Sequence, residues 1–155
     1  MSTKNSNFFS RDCMVQALIQ LLKTKSLSNI TITELTERAG VSRMTYYRNY
    51  HSLDEIFSSY LKDLVEYQEG QVVSKTLVQN DYVSMTIFSF DKGEEISTHA
   101  AGGDAMVTVL EGKGRFTVGD EVFYVEEGET LIMPKDIPHA VYGEERFKMQ
   151  LTVSF

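Results

Sequence analysis

The chain has 155 residues, a mass of 17.6 kDa and a formal net charge of −7. Hydrophobic residues make up 42% and charged residues 24%, which is typical of a folded globular protein and excludes collagen-like and low-complexity chains. No apolar run reaches the ~18 residues of a membrane span, and residues 1–12 lack the pattern of a secretory signal. The single cysteine, Cys13, excludes an intrachain disulfide. Together these features predict a soluble, cytoplasmic protein with no membrane partner.

Charge and composition both change near the middle of the chain. Residues 1–70 contain eight basic and eight acidic residues, whereas residues 71–155 contain seven basic and fourteen acidic ones. Glycine and valine are concentrated in the second segment, with eight of the 10 glycines and eleven valines. We therefore predict an α+β chain of two domains, residues 1–70 and residues 71–155.

Helical periodicity dominates the first domain. Apolar residues at three- and four-residue spacing predict a first helix that begins after Ser10 as its N-cap. The pair Ser52-x-x-Glu55 is a capping box and predicts the start of a fourth helix, which we expect to end near Gly70. Two shorter helices are expected between them. The first domain is thus predicted to be a helical bundle.

The two short helices form the pattern with the clearest functional meaning. They are predicted at about residues 33–39 and 42–50, separated by Gly40-Val41, and this is the sequence form of a DNA-reading helix-turn-helix. Helical spacing assigns Tyr46 and Tyr50 to the core. The other face carries arginine, which pairs with guanine in the major groove, and hydroxyl groups, which suit phosphate oxygens.

Residues 10–66 resemble the N-terminal DNA-binding domain of TetR-type repressors. The matching positions are Ile32, Ala39, Gly40, Val41, Ser42, Thr45, Tyr47, Tyr50, Ser52 and Ile56. The resemblance implies that the helix in the major groove contacts DNA, and the predicted DNA-binding residues are Arg43, Met44, Thr45, Tyr47, Arg48, Asn49 and His51.

Two positions of this segment, Met44 and Leu53, depart from the TetR pattern. Met44 replaces a residue that is usually small, and Leu53 replaces a lysine that commonly meets the DNA backbone. We therefore expect modest affinity for DNA unless a homodimer doubles the contact. In the alternative interpretation the helix-turn-helix is only a packing unit, with Arg43 and Arg48 as solvated charges.

The second domain is predicted to consist of short strands joined by glycine-bearing turns. The expected strands are residues 83–90, 105–111, 115–118, 121–125, 130–133 and 147–153. Short strands this close together are typical of an antiparallel β-barrel or sandwich.

Two motifs in this domain resemble those of the cupin barrel. They are Gly93-x5-His99 and Gly128-x5-Pro134-x-Asp136-x2-His139. The resemblance implies a cupin-like β-barrel whose interior holds a metal ion on three histidines and a glutamate. Only His99 and His139 are retained here, because Ala101 and Ala105 occupy the other two ligand positions.

Three interpretations of the two histidines remain open. They are remnants that line the barrel, or they orient a small-molecule effector through hydrogen bonds, or they hold a divalent metal (Zn, Mn, Ni or Fe) with a further donor. No nucleophile–base arrangement is visible, so the pattern favours a sensing pocket over catalysis.

The sequence as a whole predicts a DNA-binding transcriptional regulator. We expect it to be a homodimer that binds double-stranded DNA and senses a small molecule in its cupin barrel. The alternative is a metal-dependent cupin enzyme with an appended helical domain.

Overall fold

The structure is a computed structural model that describes the backbone of residues 3–155 and the side chains from residue 9 onward. The chain divides into two compact units, Met1–Tyr60 and Leu61–Phe155. The predicted domain boundary at residue 70 stays a prediction. Within the described residues, no helix has both the length and the apolar character needed to cross a membrane.

Four α-helices form the N-terminal part of the chain, as the periodicity predicts. They are α1 (Thr3–Leu22), α2 (Ile32–Ala39), α3 (Arg43–Asn49) and α4 (Leu53–Asp63), and a 3-10 turn lies between α1 and α2. The prediction that α1 begins after Ser10 is wrong, because neither proline nor glycine interrupts the helix between Thr3 and Ser10. The predicted end of α4 near Gly70 is also wrong, since the helix ends at Asp63.

The core of the helical unit lies between α1, α2, α3 and the start of α4. The fully buried side chains include Met14, Leu18, Leu35, Tyr46 and Ile56. Ser52 caps α4 by accepting a hydrogen bond from the Glu55 amide at 3.2 Å, while the Glu55 carboxylate accepts one from the His51 amide at 2.7 Å. The Ser52 half of the predicted capping box is therefore present, whereas the Glu55 carboxylate bonds the amide of His51, one residue before the N-cap position, instead of the Ser52 amide.

The C-terminal unit contains nine antiparallel strands in two sheets. The strands are β1 (Val72–Gln79), β2 (Val83–Phe90), β3 (Glu95–His99), β4 (Asp104–Glu111), β5 (Lys113–Val118), β6 (Glu121–Glu126), β7 (Thr130–Met133), β8 (His139–Tyr142) and β9 (Phe147–Ser154). One sheet has the order β1-β2-β9-β4-β7 and the other the order β3-β8-β5-β6. Of the two architectures that the strand pattern left open, the structure has the sandwich; the cupin-like β-barrel is not closed, because no hydrogen-bonded ladder within residues 72–154 joins the two sheets.

Large apolar side chains fill the space between the two sheets. Phe90 stacks on Phe147 with ring centroids 4.6 Å apart, and Phe116 approaches Phe147 edge-on at 6.2 Å. Along β4, Ala105, Val107 and Val109 alternate with more exposed residues, which is the period of a strand with one buried face.

The segment after α4 is held on the five-stranded sheet by polar contacts. The Ser89 hydroxyl donates to the Glu66 carbonyl at 2.9 Å, and the Tyr67 hydroxyl donates to the Glu111 carboxylate at 2.8 Å. Burial and the neighbouring Glu111 carboxylate raise the pKa of Tyr67. These contacts account for the early end of α4, because residues 64–70 bond to the sheet instead of continuing the helix.

Asp91, which directly follows β2, binds the last residue of the same segment, Gly70, and the Arg146 side chain. Its carboxylate accepts from Arg146 Nε at 2.5 Å and from the Gly70 amide at 2.7 Å. The Arg146 guanidinium, followed by the Gly70 amide, holds the pKa of Asp91 below its usual value of 3.8. A carboxyl group with a lowered pKa in the folded state stabilises the fold above its unfolded pKa, and that contribution is lost as the pH falls through the folded pKa.

We expect Asp91→Asn to lower the thermal stability of the protein at pH 7 by removing the charge that Arg146 contacts. The difference from wild type should begin to shrink below about pH 4, where the unfolded-state carboxyl of wild-type Asp91 becomes protonated, and should vanish once the pH has fallen through the lowered pKa of the folded state. Thermal melts between pH 2 and pH 8 measure this. Glu145→Gln is the control, since the exposed Lys92–Glu145 pair should contribute little. A difference that persists unchanged at low pH would contradict the prediction.

Candidate functional site

The helix pair α2–α3 has the turn and caps that a helix-turn-helix requires. Thr31 caps α2 and Ser42 caps α3, each accepting a hydrogen bond from the backbone amide three residues later. Gly40 ends α2 in the left-handed conformation with φ of 66°. The predicted Gly40 turn and Ser42 cap are therefore confirmed as local geometry.

Helix α3 buries one face and exposes the other. Tyr46 is 0% exposed and Tyr50 is 3% exposed, whereas Met44 and Tyr47 are 71% and 55% exposed. Of the predicted DNA-binding residues, the exposed ones are Arg43, Met44, Tyr47, Arg48 and His51.

The two remaining predicted DNA contacts, Thr45 and Asn49, are half-buried. The Asn49 amide donates to the Thr45 carbonyl at 2.7 Å, and the Thr45 hydroxyl lies 2.9 Å from the Ser42 hydroxyl. These polar groups already have partners within the helix, so they are less available to a ligand than those of the exposed residues.

Tyr46 anchors α3 in the helical unit, but its hydroxyl lacks a partner among the described residues. Burial raises the pKa of Tyr46. The ring lies against Tyr47, edge-on at 5.1 Å, and against Tyr50 at 6.3 Å. Tyr46 therefore positions the exposed Tyr47 by packing, while its unpaired hydroxyl costs stability.

In the β unit, the structure brings His99 and His139 together as the motifs predict. They are directly opposite each other in the β3–β8 ladder, and their ring centroids are 4.5 Å apart. His139 is buried and His99 is exposed.

Each imidazole is held by a backbone carbonyl. His99 Nδ1 lies 2.9 Å from the Ser97 carbonyl oxygen, and His139 Nδ1 lies 2.9 Å from the Ile137 carbonyl oxygen. Sequence reasoning missed these two contacts, because a backbone carbonyl leaves no signature in residue type.

The turns of the two motifs have the conformation that the cupin pattern requires. Gly93 and Gly128 have φ of 86° and 85°. Asp136, which stands where the second cupin motif has its second glycine, has φ of 62°, a left-handed conformation that aspartate tolerates better than most residues. Its amide donates to the Ala101 carbonyl at 3.1 Å, so the departure from glycine preserves the turn.

The residues present do not form the metal centre that the cupin pattern implies. Ala105 is buried in the interior cluster and Ala101 packs against that cluster, where neither offers a ligand atom. Among the described residues, no three His, Cys, Asp or Glu side chains are grouped so as to hold a metal ion. Asp104 does not compensate, because it is exposed and accepts from the Lys135 amide at 2.9 Å. Two imidazoles alone fall short of the three or four protein ligands usual for zinc.

An antiparallel sandwich with two motif histidines on paired strands defines a cupin-type domain, and comparison with known proteins agrees. The family described as Cupin domain matches residues 86–155. No TetR or helix-turn-helix family matches the chain, and no curated protein matches it.

Several solved structures are similar to this part of the chain. A conserved protein of unknown function from Streptococcus pyogenes has 46% identity and a TM-score of 0.59, over 61% of this chain and 82% of that one. A cupin superfamily protein from Desulfitobacterium hafniense has 33% identity and a TM-score of 0.58, over 60% of this chain and 85% of that one. A Cupin 2 conserved barrel domain protein from Leptotrichia buccalis has 48% identity and a TM-score of 0.60, over 61% of this chain and 46% of that one. The chain therefore belongs to the cupin superfamily.

We expect Tyr46→Phe to raise the free energy of unfolding by about 1 kcal/mol, because it removes a buried hydroxyl that has no partner. Chemical denaturation of the full chain measures the change. Tyr82→Phe, at a residue that is 79% exposed, is the matched control and should be neutral. Destabilisation by Tyr46→Phe would show that the hydroxyl does have a partner.

The double variant Ala101→His with Ala105→Glu should bind one equivalent of Zn²⁺ more tightly than the wild type. It restores the two ligands that the cupin pattern places beside His99 and His139, giving four donors instead of two. Isothermal titration of both proteins measures the affinities, and far-UV circular dichroism confirms folding. A folded variant without increased affinity would show that positions 101 and 105 do not point toward the histidine pair.

Proposed function

We propose that this protein is a DNA-binding transcriptional regulator, a homodimer whose cupin unit binds a small molecule. The observation that carries the proposal is the division of α3 into a buried tyrosine face and an exposed face with Arg43, Met44, Tyr47 and Arg48. A helix that follows a capped turn and exposes arginine along one face suits the major groove of DNA.

The acid–base balance supports assigning the DNA contact to the helical part. Residues 1–70 are neutral overall, whereas residues 71–155 carry fourteen acidic and seven basic residues. The net negative charge of residues 71–155 repels the phosphates of a DNA duplex, whereas Arg43 and Arg48 offer the duplex local positive charge. Because one helix offers few phosphate contacts, useful affinity requires two copies that read two half-sites.

The ligand role of the cupin unit rests on the histidine pair. One imidazole is buried and its partner is exposed, so a bound molecule would contact both the interior and the solvent. Such a ligand changes DNA affinity only if it binds one arrangement of the dimer better than another.

The test is enrichment of a DNA sequence from a random duplex library by the full chain, followed by affinity measurements on the enriched duplex. Arg43→Ala should weaken binding by about 1–3 kcal/mol and relax specificity at one base pair. Lys23→Ala is the matched control, because Lys23 is an exposed cation outside the predicted contact set. Fluorescence anisotropy at several salt concentrations measures both variants.

Failure to enrich any sequence would overturn the DNA-binding proposal. Equal affinity of Arg43→Ala and the wild type would show that α3 does not read the duplex.

A further inference from the structure

We infer that the ligand of the cupin unit is an uncharged molecule that donates two hydrogen bonds, one to His99 and one to His139, as a vicinal diol does. This inference rests on the ligand-binding role proposed above. The chemistry of the ligand follows from the Nε2 atoms of His99 and His139, which are not engaged by the backbone carbonyls.

The backbone contacts fix the tautomer of both imidazoles. A carbonyl oxygen only accepts hydrogen bonds, so His99 Nδ1 must carry a hydrogen to bond Ser97, and His139 Nδ1 must carry one to bond Ile137. A neutral imidazole holds one hydrogen on its two nitrogens. Both rings, when neutral, therefore present Nε2 as an acceptor.

The Nε2 atoms of the two neutral imidazoles are both hydrogen-bond acceptors, so they cannot form a hydrogen bond with each other. The rings are direct cross-strand neighbours with centroids 4.5 Å apart and planes inclined at 64°. Neither Nε2 has a hydrogen to give while both rings are neutral, so the pair favours a molecule that supplies two donors. Adjacent hydroxyl groups on one carbon framework meet this requirement.

The surroundings favour a ligand without charge. Val118 is the cross-strand neighbour of His139 in the β5–β8 ladder, and Ala101 and Ala105 occupy the other two ligand positions of the cupin pattern, so none of these three positions offers an ionic partner. The one buried lysine among residues with described side chains is Lys148, and its ammonium group donates to the Lys62 carbonyl at 2.7 Å. While the imidazoles are neutral, a carboxylate placed against the buried His139 would therefore lose hydration on that side without meeting a buried lysine or arginine among the residues with described side chains.

The probe that tests this inference is cis-cyclohexane-1,2-diol, compared with its dimethyl ether. The ether keeps the ring and the oxygen atoms but has no hydrogen to donate. Nitrogen-15 NMR of histidine-labelled full chain reports the tautomers directly. We expect both rings to be protonated at Nδ1, and we expect the diol to shift both Nε2 signals while the ether leaves them unchanged.

Variants separate the contribution of the histidine pair from general effects. His99→Ala removes one acceptor at an exposed position and should weaken diol binding about two- to tenfold, the usual effect of one neutral hydrogen bond. Thr108→Ala lies on the outward face of β4 and should bind the diol as the wild type does. The tautomers of the wild-type protein, measured by nitrogen-15 NMR, provide a second test that does not depend on a substitution.

Three results would overturn the inference. They are protonation of Nε2 in either neutral ring, equal binding of the ether and the diol, and tight one-to-one binding of Zn²⁺ alone that His99→Ala abolishes. A chain that enriches a DNA sequence but does not bind the diol would overturn this inference alone. A chain that binds the diol but enriches no DNA would overturn the regulator proposal alone.

Discussion

The antiparallel pairing of β3 with β8 is the interaction on which the candidate ligand site depends. It places His99 directly opposite His139, after a register irregularity between Ile96 and His99. The left-handed turn at Asp136 precedes β8, and its amide bonds to the Ala101 carbonyl. Because a shift of one residue would turn a histidine to the other face of the sheet, these backbone features determine whether the two imidazoles meet at all.

In the helical unit, the orientation of α3 depends on packing and capping, and this constraint is independent of the β3–β8 pairing. Burial of Tyr46 and Tyr50 fixes the rotation of α3, and the Ser42 cap fixes where the helix begins. With only seven residues, α3 would not be stable by itself, so its exposed face is displayed by tertiary packing rather than by helix propensity. Any functional role of Arg43 or Tyr47 therefore depends on two tyrosines that touch no ligand.

Sequence reasoning found strands best where apolar and β-branched residues are concentrated. The predicted bounds of β2 and β7 agree with the structure, since both are rich in apolar and β-branched residues. Three strands were not predicted. Six of the eight residues of β1 are exposed and β3 has one apolar residue in five, so their pairing rather than their composition makes them strands. Strand β8 is as short as β7 and begins directly after Pro138, a residue typical of turns.

For the candidate ligand site, too, the sequence predicted which residues belong together but not the backbone contacts that they make. The resemblance to the two cupin motifs implied that His99 and His139 belong to one site, and the β3–β8 pairing places them opposite each other. The tautomers could not be predicted, because they depend on the carbonyls of Ser97 and Ile137, which any residue type would supply. The choice between a barrel and a sandwich could not be made from the sequence for a related reason, since short strands with glycine turns are equally compatible with a closed barrel and with two separate sheets.

The alanines at positions 101 and 105 connect the family assignment to the proposed chemistry. The cupin pattern has a histidine and a glutamate at these positions, which would complete a set of four metal donors with His99 and His139. With alanine at both positions, the interior keeps its apolar packing and the two imidazoles keep their fixed tautomers. What remains is a pair of hydrogen-bond acceptors without a charged partner, and such a pair is better suited to recognising a neutral molecule than to activating one. A binding unit of this kind is what a regulator requires, since regulation needs differential binding and no turnover.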